Sequence, residues 1–494
     1  MESLKDKIIE FITKERFFLF SLFILILLSR LFFLGSSLWH DDAFHFVEKA
    51  VNLAVNGKYL NAHSTGYPFW IILLSLIIKV GHFFTGKWSI IFLPNLIIAI
   101  FGSLLLFPIY ALSKKVLNNS YYSLLISITI LINPIIWRWS EIAMSDIFAL
   151  FFILCAIVFF IDFVEENKKK YLWLSNLFLY CTLMSRVLYG LVFLPFIIFW
   201  FISNKQYNYK KIIYIISNWL FTILLMIFTY GIFHDFNFLA FLSSYGSAIP
   251  TLKEIWLSSC IIFRTVGSPM FLISVLGLIF LFKRDKRYFY FLSIFLLIFI
   301  LYLSSWYRNG LFDIERYSIL LIVILLINAG YCLVVNKITR VLFFTFLVIS
   351  LFLFAKGIYL PLNQYSSYVK ADNYFIDYMV KASQFIQQTK VDGDLTTYQD
   401  LANYINDQDI IFYWKNDWIM PKLLLAGAHL QKKALLISIE SKEDLIEKLD
   451  KYQNKKIYLL RGAYETYLEV MSDYRPVKNM VLGNRSIVYF IPSK

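Results

Sequence analysis

Apolar residues in this chain run in long blocks, and most polar residues collect between the blocks. The first block, Phe17 to about Leu34, follows Lys5, Lys7, Lys14 and Arg16, is long enough to cross a bilayer, and holds Arg30 near its far end. Similar blocks cover residues 89–112, 121–137, 146–163, 171–186, 188–203, 212–232, 265–282, 288–305, 317–335 and 341–359. A different pattern lies between the first block and the rest. Ala43, Val47, Ala50, Val51 and Ala54 recur at helical spacing until Asn56-Gly57 interrupts them, which predicts an amphipathic helix with a glycine stop. A polar connector with His63, the turn Gly66-Tyr67-Pro68 and the apolar stretch Phe69–Phe84 follow.

Whether Phe69–Phe84 spans decides the topology. Counted as a span, it puts Lys114-Lys115 outside and inverts every later basic cluster. Taken as a helix in the outer interface, it leaves these lysines, Lys168-Lys169-Lys170, Lys205 with Lys210-Lys211, Lys283 to Arg287, and Lys337 with Arg340 on the side of the N-terminus. The prediction is a polytopic α-helical membrane domain over residues 1–360, with about eleven transmembrane helices, a cytoplasmic N-terminus and a first outer loop at 36–88. The two short blocks meeting at Arg186 set the parity of everything after them, because one broken helix there would flip it.

After Tyr359-Leu360-Pro361 the sequence turns polar and rich in Lys, Asp and Glu through to Lys494. β-type runs at Lys433–Ile439, Lys456–Leu460 and Arg485–Ile491 alternate with helical patterns at Tyr374–Lys390, Glu443–Tyr452 and Tyr464–Tyr474. Residues 361–494 are therefore expected to form a soluble, extracytoplasmic α/β domain. It has no phosphate loop, metal-spaced Cys/His set or nucleophile motif, so a supporting or acceptor-recognition role is expected.

Composition agrees with a membrane protein: 59% of the 494 residues are hydrophobic and mean hydropathy is +0.65. A net charge of +14 would point to nucleic acid in a soluble protein, but here the charge sits in short clusters between apolar blocks, and no nucleic-acid partner is implied. Cys155, Cys181, Cys260 and Cys332 lie in or beside apolar runs and imply no disulfide framework. No small-residue cleavage site follows the first block, which is read as a retained span.

The candidate chemistry gathers on the outer face of this topology. Asp41-Asp42 follow the first span, and adjacent acids at a membrane face are costly unless they bind or react, although Asp also favours helix starts. The second outer loop adds Glu141 and Asp146, the latter also placed to cap the next span. Arg186 lies in a long apolar stretch, where it needs either an ion-pair partner or a bound anion. Arg264, Arg308 and Arg316 fall at outer span ends against the positive-inside rule, and guanidinium groups clamp phosphate well; Asp313 and Glu315 are competing partners for them.

In this order the features resemble the GT-C superfamily of membrane glycosyltransferases, and most closely its protein O-mannosyltransferase and lipid A aminoarabinose transferase branches. The resemblance covers about residues 17–335: Asp41-Asp42, the amphipathic stretch Ala43–Val55, His63 with Gly66-Tyr67-Pro68, Asp146, Arg186 and Arg316-Tyr317. Asp42 stands where the family usually has Glu, and Pro68 stands for a pair of prolines. The Trp-Trp-Asp signature of oligosaccharyltransferases is missing, which argues against transfer of whole glycans to asparagine.

The resemblance implies an inverting transfer of a sugar from a polyprenyl-phosphate donor to a hydroxyl of a lipid, glycan or protein acceptor. Asp41 would be the base, with Asp42 beside it; Asp146, Glu141 and His63 would contact substrate, and Arg186 and Arg316 would bind phosphate, supported by Arg264 and Arg308. No cofactor is certain. A divalent cation, Mg or Mn, on Asp41, Asp42 and Asp146 remains open, since some GT-C enzymes need one. The competing class is a transporter or flippase of a lipid-linked substrate, which calls for internal repeats and helices broken near the midplane. No repeat is present. A catalytically inactive scaffold presenting the C-terminal domain is a third alternative.

Overall fold

The apolar blocks are helices. The computed structural model describes residues 2–32, 34, 41–60, 67–85, 92–203, 209–233, 250–307, 318–356, 410–414, 435–439, 441–452, 457–460, 476–482 and 485–490. These divide into two compact units, one drawn from Met1–Leu34, His63–Trp70 and Leu96–Ala382, the other from Gly35–Ala62, Ile71–Asn95 and Ser383–Lys494.

The helices are α1 (Glu2–Phe32), α2 (Asp41–Asn56), α3 (Pro68–Thr85), α4 (Phe92–Leu104), α5 (Leu106–Leu117), α6 (Ser120–Leu131), α7 (Pro134–Trp139), α8 (Ser145–Glu166), α9 (Lys169–Leu183), a 3₁₀ turn at Val187–Val192, α10 (Phe193–Ser203), α11 (Tyr209–Phe233), α12 (Leu252–Val266), α13 (Ser268–Arg284), α14 (Lys286–Tyr307), α15 (Ile319–Val335) and α16 (Lys337–Lys356). Among the described residues Phe92–Leu117, Ser145–Glu166, Tyr209–Phe233 and Lys286–Ser304 are long and apolar enough to cross a membrane, and shorter apolar helices accompany them. The block read as 89–112 is thus two helices meeting at Leu105, and α12 was not anticipated.

Contacts within the first unit fix the direction of its helices. At one end, Glu15 accepts from Lys114 Nζ at 2.8 Å, Lys115 reaches Asp162 at 2.6 Å and Glu165 at 2.9 Å, and the Tyr288 hydroxyl donates to Glu165 at 2.9 Å. Lys169 over Tyr214, Arg284 over Tyr331 and Arg340 over Tyr122 belong to the same end. At the other end Arg30 lies against Gly102, the Asn133 amide donates to the Thr265 carbonyl at 3.1 Å, and Tyr230 donates to the Leu183 carbonyl at 3.2 Å. With α4 and α5 taken as one continuous stretch, the long apolar helices of this unit therefore alternate in direction.

The chain turns back at Arg186. Phe160, far along α8, stacks on Phe196 at 4.2 Å, and Phe199 meets Tyr288 at 5.3 Å, so the chain after Arg186 returns toward the basic end. α9 and α10 therefore run antiparallel, joined by a break.

α15 is buried over nearly its whole length, as expected for a helix apolar on all sides, whereas α11 exposes Ile213, Ile216, Leu220, Phe221, Leu224 and Phe228. α13 meets α15 at Gly277, where an added Cβ would collide with the Asn328 backbone carbonyl.

In the second unit, α2 buries Ala43, Phe46, Val47, Ala50 and Val51 on one face, and Gly57 at φ 65° ends it by donating to the Leu53 carbonyl at 3.1 Å. A five-stranded sheet is ordered β2-β1-β3-β5-β4, from β1 (Ile410–Trp414), β2 (Leu435–Ile439), β3 (Ile457–Leu460), β4 (Pro476–Leu482) and β5 (Arg485–Phe490). β1 runs parallel to β2 and β3, and β5 antiparallel to β3 and β4. α17 (Lys442–Lys451) is capped by Ser441, which accepts from the Asp444 amide at 3.1 Å, and it buries Leu445 and Leu449. The helical patterns read at 374–390 and 464–474 lie outside the described residues.

Gly277→Val should force α13 and α15 apart at a backbone contact. Thermal unfolding in detergent should show a loss of about 1–3 kcal/mol, as for other overpacked cores; an unchanged Tm would disprove the close approach.

Candidate active site

The end of the first unit away from the basic clusters is built around the turn from α6 into α8. Asn133 accepts from the Ile135 amide at 3.0 Å, Pro134 starts the short α7, and Ser140 bonds back to the Ile136 carbonyl at 2.5 Å. α8 begins at Ser145 with Met144 as its N-cap and no side-chain capping bond. This corrects the capping reading of Asp146, whose carboxylate instead forms an ion pair with Arg186.

Arg186 comes to that position because α9 stops. The Thr182 carbonyl accepts from the Ser185 amide at 3.0 Å and the Arg186 amide at 2.6 Å, while Thr182 and Ser185 hydroxyls each bond back one turn at 2.8 Å. Back-bonding of this kind bends helices, and the freed Leu183 carbonyl takes the Tyr230 hydroxyl. The chain then tightens into the 3₁₀ turn at Val187–Val192.

A third segment closes the group. Tyr67 adopts φ 53°, a left-handed conformation that is strained for a bulky residue and more so before proline. Its ring centre lies 5.9 Å from the Arg186 Cζ, and the next amide, Phe69, donates to the Met184 carbonyl at 3.2 Å. Phe69 and Trp70 pack on Phe148 of α8 at 5.3 and 5.1 Å, with Phe101 on the same ring at 4.7 Å. Aromatic packing thus fixes the segment carrying Tyr67 against the helix carrying Asp146.

Both charges of the pair are withdrawn from solvent, Arg186 at 5% and Asp146 at 0% exposure. Arg30, also at 0%, contacts the Leu131 carbonyl through Nη2 at 3.5 Å and lies 5.6 Å from the Trp137 ring. Glu141 is buried beside it. Burial holds the Glu141 carboxyl well above its usual range, against the opposing pull of the Arg30 charge and a hydrogen bond from Trp137.

Not every candidate is described. Asp41 and Asp42 are the first two residues of α2, but their side chains lie outside the described set, as does that of Arg264 near the end of α12. His63, Arg308 and Arg316 lie outside the described residues altogether. Arg186 and Asp146 are brought together, and Glu141 sits with Arg30, which carried no assigned role. Its one signal was an arginine inside an apolar run. Among the described residues no three His, Cys, Asp or Glu side chains converge as a metal site.

No protein-family model and no curated protein matches the sequence. Solved structures do. ArnT from Cupriavidus metallidurans bound to undecaprenyl phosphate superposes with a TM-score of 0.65 at 12% identity, covering 97% of this chain and 98% of that one. The apo form of the same protein gives 0.62 at 12% identity, over 95% and 97%. The present chain therefore shares the fold of ArnT along essentially its full length.

Asp146→Asn removes the carboxylate facing Arg186 and should cost about 3–5 kcal/mol of stability, while Asp146→Asn combined with Arg186→Leu should recover most of it. Equal losses that simply add in the double variant, read by thermal unfolding, would show that the two charges do not act as a pair.

Proposed function

We propose that this chain is an inverting glycosyltransferase that moves a sugar from a polyprenyl-phosphate donor to an acceptor hydroxyl at the outer membrane face. The observation carrying this reading is the polarity of the bundle: Asp146, Arg186, Glu141 and Arg30 gather at one end, and the lysine and arginine clusters at the other. With the basic end cytoplasmic, the acids face outward, and about eleven passes account for the alternation. The full-length likeness to ArnT with bound undecaprenyl phosphate supports a donor of that class.

α3 fits an interfacial helix better than a span, because Trp70, Ile71, Leu74 and Ile78 are buried while Ile72, Leu76, Val80, Phe83 and Phe84 are exposed along one side. Domain limits of 1–360 for the membrane part and 361–494 for an extracytoplasmic soluble α/β part complete the proposal. The break at Arg186 stands at the end of the bundle, beside the first turn of α8, rather than at mid-height where a transporter site is expected.

The chemistry needs a base and an anion clamp. Asp41 is assigned the acceptor's proton, and Asp42 and Asp146 the orientation of hydroxyls, Asp146 also holding Arg186 in place. Arg186 and Arg316, with Arg264 and Arg308 in support, neutralise the leaving lipid phosphate, so no general acid is required. Arg186 is preorganised for this role, fixed by a carboxylate on one side and the Tyr67 ring on another.

Purified protein offered a panel of polyprenyl-phosphate monosaccharides should transfer at least one of them. Asp41→Asn should lower turnover about 10²–10⁴-fold while donor binding persists. Near-normal single-turnover transfer by that variant would remove Asp41 as the base. Arg186→Lys should weaken donor binding, because the planar fork is lost although the charge remains. Orientation is checked separately in a background lacking the native cysteines: an impermeant maleimide should label a cysteine at position 400 in intact cells and not one at 169. Labelling at 169 would invert the proposed topology.

A further inference from the structure

Arg30 takes no part in the proposed chemistry, yet it is wholly buried near the end of α1. Its surroundings belong largely to one short segment. Nη2 reaches the Leu131 carbonyl at 3.5 Å, and Cζ lies 5.6 Å from the Trp137 ring. Nε would stand 3.2 Å from a Cβ on Gly102, and the same missing Cβ makes room for Ser140. Glu141 is the opposing charge that acts on it. Residues 131, 137, 140 and 141 all lie in the turn that leads from α6 into α8.

Packing alone does not account for an arginine here. A leucine or methionine would fill the space without the desolvation of a charge, and buried ionic groups are often no more stabilising than apolar replacements of similar volume. Nε and Nη1 make no hydrogen bond among the described residues, so the guanidinium is not consumed by a single strong partner. What it does is touch the turn at both of its ends, through Leu131 and through Trp137 with Glu141. Asp146 follows five residues after Glu141 on a chain with no side-chain cap to fix it. Gly102 lets α4 approach closely enough to form the far wall.

We propose that Arg30 is a positioning residue: it holds the turn at residues 131–141 against α1 and α4, so that Asp146 enters α8 in register with Arg186. The effect on turnover rests on the glycosyltransferase reading; the effect on the turn does not.

The test uses the full chain, free of native cysteines, with Ser145→Cys as reporter. Ser145 is buried, so a maleimide should react slowly in the parent and at least about tenfold faster in Arg30→Met, where the turn has lost its anchor. Arg30→Lys keeps charge without the fork and should fall between the two. Without the reporter, Arg30→Met should lower kcat about 10²-fold with donor KM changed by less than about threefold, because misplacement of about 1 Å acts on the transition state. Arg30→Met with Glu141→Leu removes both buried partners and should return Tm toward the parent while labelling stays fast. Parental labelling in Arg30→Met, or parental kcat in that variant, overturns the proposal. If the parent transfers no sugar the functional reading fails, and the labelling rates still decide the role of Arg30.

Discussion

Burying charge at the end of an apolar bundle is the constraint on which this structure turns. Arg186 and Asp146 are both withdrawn from water, and neither is tolerable there alone. Their meeting demands that α9 stop at Leu183, that α8 start at Ser145, and that the two helices run antiparallel. Each demand is met by ordinary local chemistry: hydroxyl back-bonds from Thr182 and Ser185 bend α9, and Asn133-Pro134 turns the chain before α8. The pair is buried, which strengthens the attraction between the charges, and the aromatic cluster of Phe69, Trp70, Phe101 and Phe148 packs the segment carrying Tyr67 onto the same helix.

The opposite end follows a different logic. Glu15, Asp162 and Glu165 take up Lys114 and Lys115, and Tyr288 joins Glu165, so α1, α5, α8 and α14 are tied together by exposed or half-buried ion pairs. Such pairs add little stability each, but they recur where α5, α8 and α14 begin or end on that side. The lysines at Lys168 to Lys170 and the arginines at Arg284 and Arg287 lie at the same level. One end therefore carries exposed or half-buried positive charge, part of it in ion pairs, while the other holds a few desolvated charges, and only the second kind is preorganised for chemistry.

Much of the fold was legible because hydropathy blocks and glycine stops are local. The apolar runs fell close to the helices, and Asn56-Gly57 marked the end of α2. α12 escaped because Lys253, Glu254 and several serines and threonines dilute its apolar face, although Ile255, Ile262 and Val266 recur at helical spacing. The site was half legible. An arginine in lipid-length apolar sequence announces a partner, but nothing local identifies it: Leu131 lies 101 residues from Arg30, and the helix directions that bring them together appear only in the packed bundle. Tyr67 could not be foreseen as left-handed, because residue type argues against it; contact with Arg186 and the Phe69 bond to Met184 override that preference.

The strain at Tyr67 bears on how the site is made. A tyrosine in the left-handed region costs of order 1–3 kcal/mol unless its surroundings over-determine it. Here they do: Pro68 fixes the following φ, Phe69 is bonded to the break after α9, and Trp70 is buried against Phe148. The conformation puts the ring beside Arg186, a contact between groups that are otherwise separated by the whole of α4 to α9 in sequence. A guanidinium fixed by a carboxylate and an aromatic face has lost much of its rotational freedom before any anion arrives, so binding need not supply that ordering. Flexibility at Tyr67 would forfeit this advantage, and the residues that follow it, Pro68 to Trp70, hold the strained backbone by packing and not through the ion pair itself.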